Sequence, residues 1–523
     1  MNPARPKRRV FLVCVDAGTF DVILPWVKEG ALPTFRRLME EGAWGELQSE
    51  IPPITVNNIV SMVTGKNAGK HGVLHWLKRE AETGKWRLID SRAIGTETLW
   101  DILGAGGKRV IVLNVPLTYP PRRVNGLMVT GLLTPVSARD ISYPFALREE
   151  VEREIGGRYP ILPKMVYAEG REREYLDALL ESLDLRYRAS RYLMDRYPWD
   201  FFMIHEIESD FVQHFFWAFM DPTHPRHDPR KAEEYGKAIL QVYQRIDGIL
   251  AAYLEALDKQ DTLMVVSDHG AGPLFQKFYT NNWLMKEGML KLKKDWTTIW
   301  KYLLFRGGLT LQNVHGVAVR LGFSNLQPRV NRTRFFESFL RRLFLSYQDV
   351  DWERTTAFAM GGFGQIYIHG GKGKGNPRPH GEGYEASRDR VISTLAKLRI
   401  PGTQKNYLQK IYKREELYWG PFLSDLPDLV VMPEEGYLDP GDFEWFSNAV
   451  FEPRTPVTGT HRSSGIFLLT GPGIRPGVRL KDIRIYDIAP SILHLMGQPV
   501  PEDLDGKVLA DAFQNAGDYS SLE

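Results

Sequence analysis

The stretch Val-Phe-Leu-Val-Cys-Val-Asp, residues 10–16, is a run of six apolar residues that ends on a carboxylate. Similar short apolar runs recur along the chain between amphipathic segments of helical length, at 110–115, 201–207, 263–267, 429–432 and 465–469. This alternation predicts an α/β fold with a mostly parallel central β-sheet covered by helices. Because functional groups in such sheets collect beyond the carboxyl ends of strands, the polar residues that end these runs are the first candidates for a site.

Composition limits the kinds of protein this chain can be. With 523 residues, of which 43% are hydrophobic, the chain can bury a large core. Its 67 basic and 64 acidic residues leave a formal net charge of +3, so no overall attraction to nucleic acid or membrane is indicated. Cys14 is the one cysteine, which excludes an intrachain disulfide and any cysteine-built zinc or iron–sulfur site. A metal site must therefore use histidine and carboxylate ligands.

Neither a targeting sequence nor a membrane span is evident in the sequence. The N-terminus is basic, but it leads into the strand-like run that begins at Val10 and lacks a small-residue cleavage site. No stretch reaches the roughly 18 uncharged apolar residues that cross a bilayer. We therefore expect a soluble, cytoplasmic protein.

Two segments interrupt the α/β pattern. Residues 291–351 are rich in Lys, Arg and aromatic residues, and we predict that they form an inserted basic helical cap or lid on an α/β core of residues 1–290 and 352–523. A surface elaboration with solvated basic faces explains this composition as well as a grip on an anionic substrate does. Residues 370–383 form a glycine-rich basic segment, and a plain loop is favoured over a phosphate cradle because the strand-to-helix context of a P-loop is missing.

Pairs of aspartate and histidine follow two of the apolar runs. Asp210 and His214 are four residues apart after the third run, so a helix would place both side chains on one face, toward one ion. Taken alone, that spacing is more typical of a surface pair. Asp268 and His269 directly end the fourth run, where neighbouring side chains can diverge toward different ions.

Two further side chains complete the candidate ligands. Asp16 is delivered by a hydrophobic strand to the edge of the sheet, where an unpaired carboxylate is costly and favours a cation or a helix N-terminus. His461 precedes the last run among turn-forming residues, a place where a single histidine is more often a surface residue than a ligand. Three Asp and three His side chains together offer oxygen and nitrogen donors that fit two zinc-like ions better than a site for magnesium alone.

The segment Pro-Pro-Ile-Thr, residues 52–55, supplies a candidate nucleophile. Thr55 follows a proline-stiffened loop and precedes a helix-like stretch, so an N-cap role is the simplest explanation of its hydroxyl. A helix N-terminus also favours phosphate, and a metal can lower the pKa of a hydroxyl enough to make it a nucleophile. Asn58 is a candidate donor to a phosphoryl oxygen, although an asparagine in a first turn ordinarily makes local hydrogen bonds.

The motifs around these residues resemble the alkaline phosphatase superfamily and, within it, the type I phosphodiesterase/nucleotide pyrophosphatase family. The N-terminal part of the resemblance is Asp-Ala-Gly at 16–18, Leu-Pro-Thr-Phe-Arg-Arg-Leu-Met-Glu-Glu-Gly-Ala at 32–43, Pro-Pro-Ile-Thr at 52–55 and Val-Thr-Gly-Lys-Asn-Ala-Gly-Lys-His-Gly-Val at 63–73. The C-terminal part is Tyr-Asp-Ile-Ala-Pro-Ser-Ile-Leu-His-Leu-Met-Gly at 486–497 and Asp-Gly-Lys-Val-Leu at 505–509. The resemblance covers most of the chain and implies an alkaline-phosphatase-like sandwich.

The resemblance also implies roles for the candidate residues. Thr55 matches the covalent nucleophile, which in this family is also a metal ligand. The remaining ligands match in family order, with Asp16, Asp268 and His269 on one ion and Asp210, His214 and His461 on the other. One departure is that Ala17 stands between Asp16 and Gly18, where the family usually has glycine directly after the aspartate. The Cys-x-Pro-x-Arg pattern of sulfatases is absent.

The function so implied is two-metal hydrolysis of phosphate esters, above all phosphodiester or nucleotide pyrophosphate bonds, through a covalent phospho-threonine intermediate. The expected cofactors are two divalent metal ions, with Zn²⁺ preferred and Mn²⁺ or Mg²⁺ as alternatives. The expected partner is a small phosphate ester or nucleotide, without sequence-specific binding of nucleic acid. A phosphomonoesterase or phosphomutase on the same site, and a catalytically silent metal-binding scaffold, are the alternative functions.

Overall fold

A computed structural model of the chain describes residues 8–79, 86–314, 343–369, 382–438 and 445–514. Within these ranges the strands are, in chain order, β1 Val10–Val15, β2 Ala43–Gln48, β3 Leu77–Arg79, β4 Trp86–Leu88, β5 Val110–Val115, β6 Gly126–Thr130, β7 Ser142–Tyr143, β8 Phe201–Glu206, β9 Thr262–Val266, β10 Gly270–Pro273, β11 Gln276–Phe278, β12 Ala357–Ala359, β13 Gln365–Ile368, β14 Leu408–Lys413, β15 Leu429–Pro433, β16 Tyr437–Leu438, β17 Phe451–Glu452, β18 Gly459–Arg462, β19 Ser464–Thr470, β20 Val478–Arg479 and β21 Ile483–Arg484. The α-helices in the same ranges are α1 Phe20–Lys28, α2 Pro33–Glu41, α3 Thr55–Thr64, α4 Ala68–His71, α5 Leu99–Ala105, α6 Leu147–Ile155, α7 Glu172–Arg196, α8 Glu208–Met220, α9 Pro229–Tyr235, α10 Ala238–Ala256, α11 Thr280–Lys286, α12 Trp296–Arg306, α13 Glu382–Leu395, α14 Arg414–Leu417 and α15 Ile488–Leu495.

Among these strands, ten form the main sheet. Their order is β20-β2-β19-β9-β1-β8-β5-β6-β7, and β21 also pairs with β2. The five central strands, from β9 to β6, are all parallel to their neighbours, whereas β19 runs antiparallel to both β9 and β2. The predicted α/β fold with a mostly parallel central sheet flanked by helices is confirmed.

Strand β1 lies in the middle of this sheet, and every one of its residues is buried. Its side chains alternate between two hydrophobic cores, because successive residues of a strand face opposite sides of the sheet. Phe11 and Val13 join the core beneath α7, α8 and α10. Leu12 and Cys14 join the core beneath α3, α5 and α15. An apolar run without alternation therefore correctly predicted a strand covered on both faces.

Most of the predicted strands fall in this sheet, but one does not. The runs 10–15 and 110–115 match β1 and β5, and the runs 201–207 and 263–267 match β8 and β9 to within one residue. The run 429–432 lies in β15, which belongs to a separate four-stranded sheet ordered β12-β13-β15-β14. Its assignment to the central sheet was wrong because the same apolar pattern serves any buried strand.

The second sheet has a hydrophobic core of its own. This core extends from Phe278 to Phe451 and includes Phe305, Leu345 and Val350 from the predicted cap. Residues 315–342 of that segment, and residues 370–381 of the glycine-rich segment, lie outside the described residues. The division into a core of 1–290 and 352–523 with a cap at 291–351 stays a prediction. None of the described helices is both long and apolar enough to cross a membrane.

A buried ionic cluster ties α7 to the junction of β8 and α8. Arg186 of α7 is fully buried and donates to both carboxylate oxygens of Glu208 at 2.7 Å. The same guanidinium also donates to Glu206, the last residue of β8. Because Asp210 follows two residues after Glu208, this cluster fixes the turn that carries one of the candidate ligands.

Replacing Arg186 with methionine should therefore lower the free energy of unfolding by about 3–5 kcal/mol, because two buried carboxylates lose their cationic partner. Urea denaturation followed by circular dichroism measures this change. Arg191→Met on the same helix is the control, since it removes an i,i+4 pair with the largely exposed Asp195 and should cost about 0.5 kcal/mol or less. Equal losses in the two variants would contradict the structural role of Arg186.

Candidate metal centre and nucleophile

The candidate carboxylates converge at the carboxyl ends of adjacent strands. Asp16 directly follows β1, Asp210 lies in the first turn of α8 just after β8, and Asp268 follows β9 by two residues. Because β9, β1 and β8 are parallel neighbours, the segments that leave them meet at one edge of the sheet. The side chains of all three aspartates are buried there.

His461 reaches the same place from a different direction. It lies on β18, which pairs antiparallel with β10, so that His461 is opposite Ala271 and close to His269. The rings of His269 and His461 are stacked, with centroids 3.8 Å apart and an angle of 19° between their planes. A small two-stranded sheet thus brings together two histidines that are almost two hundred positions apart in the sequence.

Thr55 is the first residue of α3 and lies beside these histidines. Its Oγ1 is 3.2 Å from Nε2 of His269, and the side chain is buried. The N-cap position is occupied by Ile54, which makes no side-chain capping bond. The simplest explanation of Thr55, an N-cap hydroxyl, is therefore wrong, and the hydroxyl faces the cluster of candidate ligands instead.

The candidate ligands form two groups of three. In one group, Nε2 of His269 lies 3.5 Å from Oδ1 of Asp16 and 3.3 Å from Oδ2 of Asp268. The second group consists of Asp210, His214 and His461. In each group the three donor atoms lie within 4.8 Å of one another, a spacing that one metal ion can bridge.

In the second group, the three candidate donor atoms lie close to one another. Oδ1 of Asp210 lies 3.2 Å from Nε2 of His214 and 3.4 Å from Nε2 of His461. The two Nε2 atoms are themselves 3.2 Å apart. Three electron-rich atoms at these distances need a proton or a metal ion between them.

Backbone carbonyls fix the tautomer of each candidate histidine. Nδ1 of His214 donates to the carbonyl of Gly459 at 2.8 Å, and Nδ1 of His461 donates to that of Pro53, also at 2.8 Å. Nδ1 of His269 donates to the carbonyl of Gly270 at 3.1 Å. Because a carbonyl can only accept, the Nδ1 atoms carry protons, and Nε2 is the ring atom that each histidine turns toward the site. This is the arrangement by which proteins prepare imidazoles as metal ligands.

The electrostatics of the site also call for a cation. Burial, together with the neighbouring Asp268 and Asp210, holds the pKa of Asp16 well above its ordinary value. Burial opposes ionisation of Asp210 too, but His214 and His461 together outweigh it and hold the pKa of Asp210 well below its ordinary value. Burial lowers the pKa of His269 well below its ordinary value. A neutral imidazole beside a carboxylate that resists ionisation indicates that positive charge is missing.

Two buried carboxylate oxygens without hydrogen-bond partners indicate whether the residues fit metal ions. Oδ1 of Asp16 and Oδ2 of Asp268 are buried and have no hydrogen-bond partner among the described residues. Buried carboxylate oxygens rarely lack partners, and a metal ion would satisfy both. Cys14, His205 and Asp268 also have donor atoms within 4.8 Å of one another, but this group shares Asp268 with the first, and its other two members are paired residues within β1 and β8. The donor set fits divalent ions.

Asn58, the predicted donor to a phosphoryl oxygen, is engaged elsewhere. Its side chain is fully buried, its Oδ1 accepts from the backbone N–H of Glu50 at 2.6 Å, and its Nδ2 donates to the carbonyl of Ile54 at 3.1 Å. These bonds tie α3 to the loop before Thr55. The proposed contact with substrate is corrected to a structural role in the loop that precedes Thr55.

Two further residues at the site are not among the candidate ligands. Nε2 of His205 lies 3.3 Å from Oδ2 of Asp16, and this buried histidine faces the candidate ligand from the adjacent strand. The ring of Phe363 lies 5.1 Å from that of His461 and packs against the cluster that contains Ile54 and Val56. The signal for Phe363 was its setting, Gly-Gly-Phe-Gly at 361–364.

The loop that carries Phe363 has an unusual backbone. Gly361, Gly362, Phe363 and Gly364 all have positive φ angles, and that of Phe363 is 51°. Residues with a side chain rarely adopt positive φ angles, so this backbone conformation costs conformational free energy at Phe363. A Cβ atom at Gly364 would lie 2.1 Å from the carbonyl oxygen of Val431, which explains the glycine. The loop therefore holds an aromatic ring against the candidate metal centre.

Comparison with known proteins agrees with this geometry. The chain matches the family model of type I phosphodiesterase/nucleotide pyrophosphatase over residues 10–442. It therefore belongs to this family, whose members are metal-dependent hydrolases of phosphodiester and pyrophosphate bonds. A search of curated proteins found no match.

Several solved structures have a similar fold. Human ectonucleotide pyrophosphatase/phosphodiesterase 5 is 15% identical, with 97% of this chain and 100% of that chain covered and a TM-score of 0.50. Phosphonoacetate hydrolase from Sinorhizobium meliloti 1021, in complex with phosphonoformate, is 15% identical, with 92% and 94% covered and a TM-score of 0.53. An inactive form of murine ectonucleotide pyrophosphatase/phosphodiesterase 5, in complex with AMP, is 14% identical, with 94% and 96% covered and a TM-score of 0.50. At these identities the likeness shows a shared fold, the alkaline-phosphatase-like sandwich.

The corrected role of Asn58 separates stability from catalysis. Asn58→Ala should lower the free energy of unfolding by about 1–3 kcal/mol, because buried backbone groups lose their partners. The kcat of the folded variant should change by less than about tenfold, since the amide is bonded to backbone groups of Glu50 and Ile54. Thermal unfolding and steady-state kinetics measure the two effects. Unchanged stability with a drop in kcat of about 10²–10³-fold would restore the donor role.

Proposed function

We propose that this protein hydrolyses phosphodiester or nucleotide pyrophosphate bonds with two divalent metal ions and a covalent phospho-threonine intermediate. Thr55 is the proposed nucleophile and also a ligand of the first ion. The other ligands of that ion are Asp16, Asp268 and His269, and the ligands of the second ion are Asp210, His214 and His461. The observation that carries the proposal is the position of the Thr55 hydroxyl, 3.2 Å from Nε2 of His269, beside two groups of three candidate donor atoms.

Each side chain has a defined task in this proposal. Bound divalent ions would supply the positive charge that lowers the pKa of the Thr55 hydroxyl and stabilises the phosphoryl oxygens. Oγ1 of Thr55 attacks phosphorus in line with the leaving group, and a bond from Thr55 to phosphorus replaces the bond to the leaving group. Water then hydrolyses the phospho-threonine and restores the hydroxyl. The N–H groups in the first turn of α3 have no partner within the helix and can donate to the phosphoryl oxygens.

The donor set supports zinc as the preferred ion. Three imidazole nitrogens and three carboxylates suit Zn²⁺, while Mn²⁺ and Mg²⁺ are alternatives because carboxylates also bind harder ions. The proposed substrate is a small phosphate ester or nucleotide. The Phe363 ring beside His461 offers an apolar surface on which the organic part of such an ester can pack. A cytoplasmic location, expected from the sequence, stays a prediction.

The rival functions differ in the charge that the site must hold. A phosphomonoester carries one more negative charge than a diester, and none of the seven proposed site residues is Lys or Arg. Arg462, next to His461, is committed elsewhere, because its guanidinium donates to Glu435 and to the carbonyl of Pro273. This favours a phosphodiesterase over a phosphomonoesterase or phosphomutase. The complete set of donors with a nucleophile favours catalysis over a silent metal-binding scaffold.

Thr55→Ala should lower kcat/KM by about a thousandfold or more, because the covalent step loses its nucleophile. Metal analysis by mass spectrometry should still find two ions per chain, since three protein donors remain in each group. Thr55→Ser is the matched control and should keep most of the activity by retaining the hydroxyl. Undiminished activity of Thr55→Ala would rule out this nucleophile.

Substrate preference tests the choice among the rivals. With zinc supplied, we expect kcat/KM for bis-p-nitrophenyl phosphate to exceed that for p-nitrophenyl phosphate by about tenfold or more, because none of the seven proposed site residues is a cation that could meet the extra charge of the monoester. Initial rates of p-nitrophenolate release measure both. A preference for the monoester would favour the phosphomonoesterase, and no turnover of either ester with any of the three metals would favour the scaffold.

A further inference from the structure

Helix α12 exposes its apolar face. Trp296 is 78% exposed, Trp300 53%, Leu303 56% and Ile299 40%. Their spacing places all four on one stripe of the helix surface. Single exposed apolar residues are ordinary, but a continuous stripe with two tryptophans marks a site of interaction.

The opposite face of α12 explains why the stripe points outward. Thr298, Lys301 and Phe305 are buried on that face. Nζ of Lys301 donates to both carboxylate oxygens of Asp349, at 2.8 and 3.0 Å. A rotation of the helix that buried the tryptophans would expose Phe305 and break this buried ion pair. The chain therefore fixes the helix with its lysine inside and its aromatic residues outside.

The charge around the stripe is positive. Residues 286–306 contain six basic and two acidic side chains. Lys293 and Lys294 precede the helix and Arg306 ends it, and all three are exposed. The carboxylate of Asp295 is occupied at the helix N-terminus, where it accepts from the backbone and the hydroxyl of Thr298. Exposed apolar residues are thus flanked by exposed basic side chains at both ends of the helix.

We propose that α12 docks on the surface of an anionic lipid bilayer, with its axis in the plane of the membrane. Tryptophan and leucine on one face, with lysine and arginine beside them, are the composition of helices that lie in the headgroup region. The basic residues would meet anionic headgroups while the stripe enters the boundary of the acyl chains. Eleven residues are too few to cross a bilayer, so the helix lies on the surface.

A second copy of the chain is a poorer occupant. In a two-fold dimer the same patch of each copy packs against that of the other. The exposed Lys293, Lys294 and Arg306 of the two copies would then be brought close together, and their like charges would repel. Anionic lipid instead complements both the apolar stripe and the charge. The proposal concerns a surface distinct from the metal centre and does not depend on the proposed reaction.

Flotation of the full-length protein with vesicles tests this proposal. We expect the wild type to float with vesicles of phosphatidylcholine and phosphatidylserine, to float less as salt is raised, and to stay unbound with phosphatidylcholine alone. The triple variant Trp296→Ser, Trp300→Ser, Leu303→Ser should bind the anionic vesicles about tenfold or more weakly. Its melting temperature should equal that of the wild type, because the three substituted side chains are more than half exposed and belong to none of the hydrophobic cores of the described residues.

Phe145→Ser is the matched control, since Phe145 is 61% exposed outside α12. It should bind the vesicles as the wild type does. The proposal is overturned if the wild type does not float with anionic vesicles, if it floats equally with phosphatidylcholine alone, or if the triple variant floats like the wild type. It is also overturned if sedimentation shows that the stripe holds a dimer together and no vesicle binding is seen.

Discussion

Three carboxylates that share one buried pocket are the constraint on which the rest of the structure depends. Asp16, Asp210 and Asp268 are each less than a tenth exposed, and in the part of the chain that the structure describes their ion-pair partners are histidines. Burial keeps His205 and His269 neutral, the pKa of His205 falling to about 4. Mutual repulsion of carboxylates in such a setting is relieved only by protons or by cations.

The architecture around the pocket serves to bring these groups together. Parallel strands deliver the aspartates, a two-stranded sheet adds His461, and helix α3 presents Thr55 from the opposite core. Backbone carbonyls turn the Nε2 atoms of the imidazoles inward, and one of these carbonyls, that of Pro53, belongs to the loop that precedes Thr55. The carboxylates, the histidines and the threonine are therefore held in one arrangement that is complementary to positive charge.

Local patterns predicted the parts that depend on local physics. The strand over 10–15 was predictable because a strand that is covered on both faces of its sheet is continuously apolar. The pairing of Asp210 with His214 was predictable because residues four apart lie one turn apart on the same face of a helix. The membership of 429–432 in a second sheet was not predictable, since the same apolar run suits either sheet and pairing is decided by distant segments. Asn58 was misassigned because its partners are backbone groups that no sequence pattern displays. Phe363 was missed because its closeness to His461 arises from contact between two sheets.

The central claim is that two cations occupy the pocket, and anomalous diffraction from crystals grown with zinc tests it most directly. The account predicts two anomalous peaks about 3.5–4 Å apart at the zinc absorption edge. One peak should lie among Asp16, Asp268 and His269, and the other among Asp210, His214 and His461. A single peak, or zinc bound away from these side chains, would contradict it.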